Sequence, residues 1–203
     1  YTVLAGTQGV WNHAKSDRLL ELAQRQHLPL VLFAEGGGGR PGDVDWHGIA
    51  GLDCATFAKL ATLSGQVPLV GIVAGRCFAG NAALLGCCDV IIAVEGASIG
   101  MGGPAMIEGG GLGRVEADAV GPVSVQSANG VIDVRVDNEA QAVMVARQWL
   151  GLMHDSMANA HAHAHAHAHA HAHAHAHAVR VPAAVAAAAR HGALVVGLLL
   201  LRR

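Results

Sequence analysis

Long apolar runs, blocks of like charge and zinc-type cysteine pairs are all missing from this sequence. The most apolar segment, Gly192–Leu201, has ten residues where a bilayer-spanning helix needs about 20. Arg190 and His191 stop it from extending upstream, so no membrane span and no membrane partner are expected. No run of five Lys or Arg occurs, and the formal net charge is only −2. Such a chain has no general attraction to phosphate backbones, which removes nucleic acid from the expected partners. The four cysteines are Cys54, Cys77, Cys87 and Cys88. They show no Cys-x-x-Cys spacing for a metal, and the adjacent pair is poorly placed to bridge. Reduced thiols and a cytoplasmic setting are expected, with no metal site in the domain. No initiator Met, basic region or cleavage site precedes the apolar Val3–Ala5, so the sequence reads as an excerpt from something longer.

What is present is apolar residue in quantity: 52% of 203 residues, enough for one domain with a sizeable core. Up to about Met153, short Val- and Ile-rich runs alternate with segments of helical period, the pattern of an α/β fold. Strands are predicted at Thr2–Ala5, Leu30–Ala34, Leu69–Ala74, Val90–Val94 and Val131–Val136, each bounded by Gly, Pro or Asp. Helices are predicted at Lys15–Gln26, Leu52–Leu63, Asn81–Cys88 and Glu139–Leu152, with Leu19, Leu22 and Ala23 forming the apolar stripe of the first.

Beyond Met153 the composition changes abruptly. Strict His-Ala alternation runs from His161 to Ala178, followed by Ala- and Leu-rich sequence ending in Arg202 and Arg203. A two-residue repeat offers no varied apolar surface for a core, so residues 154–203 are expected to form a low-complexity tail outside the fold of residues 1–153. The repeated imidazoles of His161–His177 have the capacity to hold Ni²⁺ or Zn²⁺, chemistry incidental to the domain.

Three glycine-rich segments follow the central strands. The first is Glu35-Gly36-Gly37-Gly38-Gly39-Arg40-Pro41-Gly42-Asp43. Its glycines leave no Cβ between backbone and ligand, as suits a loop that wraps a substrate; the alternative is a flexible surface turn. The second, Gly75–Leu84, passes from a strand end through small residues into an apolar helix. The first amides of a helix lack internal partners, so small residues there let a carbonyl oxygen reach them, an oxyanion hole; close helix-to-strand packing demands small residues too. The third, Ile99–Gly113, is too glycine-rich for a regular element and too apolar for a solvated linker. It is expected to line a cleft, with Met101, Met106 and Ile107 as an adaptable wall or as core filling.

At these loops the chain resembles the carboxyltransferase component of biotin-dependent acyl-CoA carboxylases, of acetyl- or propionyl-CoA carboxylase type, in the crotonase superfamily. The likeness is greatest to the large fused enzymes that carry biotin carboxylase and carboxyltransferase on one chain. The pieces that carry it are YTVLAGTQG at Tyr1, LPLVLFAEGGGGRPGD at Leu28, VPLVGIVAGRCFAGNAALLGCCDVIIA at Val67, IGMGGPAMIEGGGLG at Ile99 and GPVSVQSANGVIDVRVDNEAQA at Gly121. They span residues 1 to about 153.

The resemblance implies a crotonase-like (Clp/crotonase) spiral of β-β-α units. It also implies an acyl-CoA substrate whose thioester carbonyl is held by backbone amides near the start of the helix at Gly80. Two of Ala79, Gly80 and Asn81 are then the donors. Gly36, Gly37, Gly38, Gly39 and Arg40 shape the acyl-CoA cleft, Met101, Gly102, Gly103 and Pro104 form the opposite wall, and Arg76 meets a CoA phosphate or is simply solvated. In this family carboxybiotin, carried on a partner domain, releases CO₂ and the biotin anion takes the α-proton, so no protein base is obligatory. Losing one oxyanion donor typically costs about 10²–10³ in rate. The implied partners are a second carboxyltransferase half that binds biotin, a biotin carboxyl carrier and a biotin carboxylase, in an oligomer when complete.

Only the first of the two homologous halves is recognisable here, and after Leu150 the family pattern stops. The tail looks like translation of GC-rich DNA in a shifted frame. Three rival readings follow. A Clp-type serine protease needs a Ser at the helix start, where Ala79-Gly80-Asn81 stand. An enoyl-CoA hydratase or isomerase would add a carboxylate, for which Glu108 is the candidate. A truncated, non-catalytic acyl-CoA-binding fragment accounts for the missing half.

Overall fold

The computed structural model describes residues 2–40, 42 and 54–153, together with the backbone of Val196–Gly197. Their frame is a parallel sheet built from β1 (Leu30–Phe33), β2 (Leu69–Val73), β4 (Val90–Val94), β6 (Val134–Val136) and β7 (Val196–Gly197), in the order β6-β4-β2-β1-β7. The central strands β2 and β4 are buried at every position. This is why they read as unbroken apolar runs: helices cover both faces of a parallel sheet. Strand alternation divides the core in two. Leu30, Leu32, Leu69, Val73, Ile91 and Ala93 face one side, against Leu20 and Ala23 of α1 (Val10–Gln26), Leu60 and Leu63 of α2 (Thr56–Leu63) and Leu85 of α3 (Gly80–Leu85). Val31, Val70, Ile72, Val90, Ile92 and Val94 face the other, under Ala142, Ala146 and Leu150 of the helix over 139–153.

A second, small sheet lies beyond the C-terminal ends of these strands. It pairs β3 (Arg76–Phe78) with β5 (Ser98–Gly100) in parallel and is extended by single bridges Gly36↔Cys77 and Ser98↔Pro122. The chain thus passes twice from large sheet to small sheet to helix, through β2-β3-α3 and through β4-β5-α4, where α4 is Pro104–Gly109. This is the β-β-α spiral that the resemblance implies.

Several elements depart from expectation. Thr2–Ala5 is no strand: it is a turn leading into a 3₁₀ segment at Leu4–Gly6, with Leu4 and Ala5 at φ 49° and 53°. The pairing partner is instead Gln8, whose N–H donates to Gly38 O at 2.7 Å. Helix α1 starts five residues before Lys15, because Asn12 Oδ1 accepts the Gly9 N–H at 3.0 Å and seals the first turn. Its deepest residues are Ser16, Leu20 and Ala23 rather than Leu22. Residues 131–133 do not join β6, because Asp133 Oδ2 takes the Ile91 N–H at 2.7 Å, in the place of a ladder bond. Helix α3 ends at Leu85, short of Cys88. The third glycine-rich segment was expected to hold no regular element, yet it contains α4 and part of β5. The proposed start of α2 at Leu52 and the His-Ala repeat lie outside the described residues. Among the described residues no helix is long and apolar enough to cross a membrane.

Helices α1 and α2 are joined by a polar chain. His13 Nδ1 lies 3.0 Å from Thr56 Oγ1, and the Thr56 hydroxyl donates to Asp17 Oδ1 at 2.5 Å. Lys59 closes the row, 3.5 Å from Asp17 and 2.6 Å from Glu21. Because the hydroxyl proton points to Asp17, Nδ1 must be the protonated nitrogen of a neutral His13. Desolvation holds the His13 pKa below its usual value, and Asp17 opposes this only in part. The unfolded chain therefore takes up this proton first as pH falls below about 6.5, so acidification destabilises the fold through His13 until its folded pKa is passed. Between pH 7 and pH 5, roughly, the melting temperature of the wild type is expected to fall more steeply than that of His13→Gln. Equal slopes in thermal denaturation would remove His13 from the acid response.

Candidate functional site

The strands β1, β2 and β4 are parallel, so their C-terminal ends share one edge, and the three glycine-rich segments begin there in turn. In open α/β sheets this edge is where ligands bind. The first segment is fastened to the second along its length. Gly36 N–H donates to Arg76 O and Gly36 O accepts from Phe78 N–H, both at 2.8 Å. Glu35 Oε1 accepts the Ala74 N–H at 2.8 Å. Gly38 has φ 89°, and a Cβ there would stand 2.6 Å from Ala79 Cβ and 3.2 Å from Gly80 N. Only glycine lets this backbone rest directly on the turn into α3.

That turn is made by Ala79, at φ 51° and ψ −121°, a conformation that is uncommon for a residue with a side chain and concentrated at functional sites. It points the Ala79 carbonyl into the helix, where it accepts from Ala83 N–H at 3.0 Å. Its own N–H goes the other way, to Gly100 O of β5 at 3.0 Å. Of the three amides expected to supply two donors, that of Ala79 is thus committed to the small sheet. The amides of Gly80, Asn81 and Ala82 open the helix and have no acceptor among the described residues, as the first turn of a helix dictates. The Gly37 and Gly39 amides of the facing loop likewise have none among those residues.

The third segment meets the other two through Phe78, which is 1% exposed. A Cβ on Gly103 would touch its ring at 3.4 Å and one on Gly100 at 3.7 Å. Met101 is 67% exposed, Gly102 is half-buried and Pro104 starts α4. The two arginines are both held by this chain. Arg40 NH2 donates to Thr7 O at 3.0 Å, and Arg76 is ion-paired with Asp118 at 2.8 Å on the surface. Glu108 is ion-paired with Arg114 at 2.7 Å on exposed helix α4. Burial pushes the Cys77 thiol up and the Cys88 thiol up to about 12, so neither supplies a thiolate nucleophile at neutral pH.

Sequence reasoning missed three parts of this arrangement. Strand β3 was read as loop because Arg-Cys-Phe carries no strand pattern and its partners lie 22 residues downstream in β5. The Asn81 side chain was overlooked beside its amide, although it is the one carboxamide in a turn of small residues and is 2% exposed. Phe57 was also unremarked. A Cβ on Gly80 would stand 3.1 Å from its ring, so α2 closes the side of the turn.

Comparison with known proteins shows the family and the fold. Residues 1–188 match the carboxyl transferase domain family. The chain is 29% identical over 153 residues to the uncharacterized carboxylase YngE of Bacillus subtilis (strain 168), covering 73% of this chain and 30% of that protein. It is 28% identical over 155 residues to the methylmalonyl-CoA carboxyltransferase 12S subunit of Propionibacterium freudenreichii subsp. shermanii, covering 75% and 29%. A solved single-chain, multi-domain long-chain acyl-CoA carboxylase aligns with a TM-score of 0.69 and 65% identity over 74% of this chain and 15% of that one. The chain therefore spans less than a third of the length of each of these relatives.

Proposed function

Because the chain belongs to the carboxyl transferase domain family, we propose that it is the acyl-CoA-binding half of a biotin-dependent carboxyltransferase, which moves a carboxyl group to the α-carbon of an acyl-CoA. The observation that carries the reading is the pair of amides at Gly80 and Asn81. They are uncommitted among the described residues and sit beside a strained Ala79 under the Gly36–Gly39 loop. A thioester carbonyl accepting from them gains most when its α-proton leaves, because negative charge then develops on that oxygen. Phe57 and Phe78 flank the turn with apolar surface, which strengthens such bonds by keeping water away. Gly36–Gly39 and Arg40 shape one wall of the cleft, and Met101–Pro104 the other.

When bound, carboxybiotin supplies the carboxyl group and the base. The amides at α3 serve a single carbonyl oxygen, that of the thioester. The ureido group of biotin needs a separate set of donors, which this reading assigns to a second carboxyltransferase half. A biotin carboxyl carrier, a biotin carboxylase and a cytoplasmic setting complete the proposal. Glu108, occupied by Arg114 on an exposed helix, gives the hydratase reading little support. A non-catalytic acyl-CoA-binding module is the second reading, and it uses the same amides at Gly80 and Asn81.

Calorimetric titration tests the common core of both: acetyl- or propionyl-CoA should bind more tightly than free CoA, and equal affinities would dismiss the thioester site. The unit is proposed to end near Met153. Deleting residues 154–203 removes only a two-residue pairing of β7 with β1 from the described structure. That deletion is expected to leave acyl-CoA affinity unchanged, and a large loss in the same titration would show that the tail belongs to the site.

A further inference from the structure

We propose that the Asn81 side chain is a positioning residue, a clamp that holds the Glu35–Gly38 loop in register on the turn into α3 and so fixes the donors around the thioester carbonyl. The inference rests on the reading of Gly80 and Asn81 as those donors. Asn81 Oδ1 accepts the Gly38 N–H at 3.0 Å, and Nδ2 donates to Glu35 O at 3.1 Å. One bond crosses 43 residues of sequence and the other 46, so neither belongs to local structure. Both ends of the carboxamide are used, and the residue is 2% exposed.

The requirement for Asn follows from the partners. Gly38 presents a donor and Glu35 an acceptor, and the carboxamide answers both at once from two separate atoms. Asp would lack the donor, Ser would not span the two, and Gln would be a methylene too long for a site this enclosed. The loop has shaped itself around the clamp: a Cβ on Gly36 would stand 2.8 Å from Asn81 Nδ2. With these two bonds made, Gly36 tied to β3 and Gly38 O tied to Gln8, the amides of Gly37 and Gly39 in the glycine run have no acceptor among the described residues. The clamp therefore sets where those amides stand relative to Gly80. Misplacing a reacting group by about 1 Å can cost on the order of 10²-fold in rate, so a residue that touches no substrate still governs the chemistry.

The test compares the purified chain and its Asn81→Ala and Asn81→Asp variants. Affinity is measured for an acyl-CoA thioester and for an S-alkyl-CoA thioether that lacks the carbonyl. Wild type is expected to prefer the thioester. Asn81→Ala is expected to lose about tenfold of that preference, the equivalent of one hydrogen bond, whatever its effect on thioether affinity. Asn81→Asp keeps an acceptor for Gly38 but sets a negative charge beside the carbonyl oxygen, and is expected to lose at least as much. If wild type shows no preference, the oxyanion reading itself fails. If wild type prefers the thioester and both variants keep the full preference, the clamp alone is overturned. Hydrogen exchange on the wild-type chain needs no variant: the Gly38 amide should be protected relative to Gly39, and equal exchange at the two would overturn the clamp.

Discussion

Incubated with carboxybiotin and acetyl- or propionyl-CoA, this chain is expected to form no malonyl- or methylmalonyl-CoA, whereas adding a separately expressed second half yields product. The reaction joins two bound molecules, and holding both in attacking geometry supplies about 7–11 kcal/mol of the barrier reduction. At the turn into α3 the amides of Gly80, Asn81 and Ala82, with those of Gly37 and Gly39 opposite, have no acceptor among the described residues. That is enough to hold one carbonyl and polarise its α-carbon. It leaves the carboxyl donor unplaced, and a freely diffusing donor recovers almost none of the entropic advantage. The measurement is incorporation of labelled carboxyl into acyl-CoA with and without the second half. Product from the chain alone would sink the assignment of half a site, and activity only on complementation would support it.

The second large effect is structural and falls on one atom. Gly38→Ala is expected to destabilise the domain by about 2–5 kcal/mol. Roughly 1–2 of this comes from forcing a Cβ into the left-handed region at φ 89°, and about 1–3 from overpacking against Ala79. Ala79 cannot yield easily, because it already occupies a strained conformation pinned by bonds to Gly100 and Ala83. Gly39→Ala is the internal control: its Cβ would meet nothing within 4 Å among the described residues, and a cost below about 1 kcal/mol is expected. Denaturant unfolding of the two variants should separate them clearly. If Gly38→Ala unfolds with the midpoint of Gly39→Ala, the backbone contact between the loop and the turn is not as described here. The same variant should lose acyl-CoA affinity, since the displaced loop carries the Gly37 and Gly39 amides.

Residue order alone determined a good deal about this protein. The central strands at Leu69 and Val90 were legible because a strand buried on both faces must be apolar at every position, and runs this short, bounded by Gly, Pro or Asp, are too brief for a helix. The helix over 139–153 was legible from its period, the three glycine-rich segments from composition, and the carboxyltransferase likeness from motifs that together exceed any single glycine run. Tertiary structure decided what was held by contacts far apart in sequence. Thr2–Ala5 looked like a strand, but the neighbouring chain pairs at Gln8 with a glycine loop 30 residues away, so the segment folds into a hook instead. Strand β3 exists only because β5 and Gly36 flank it. Ala79 looked like a donor until the Gly100 carbonyl was found on its amide, and Asn81 looked like a donor alone until its side chain was found gripping Glu35 and Gly38. Periodicity records which face of an element is buried, because burial acts on every residue in turn. It carries no record of which single amide or carboxamide meets which partner, since such bonds are made one at a time, by residues that only the fold brings together.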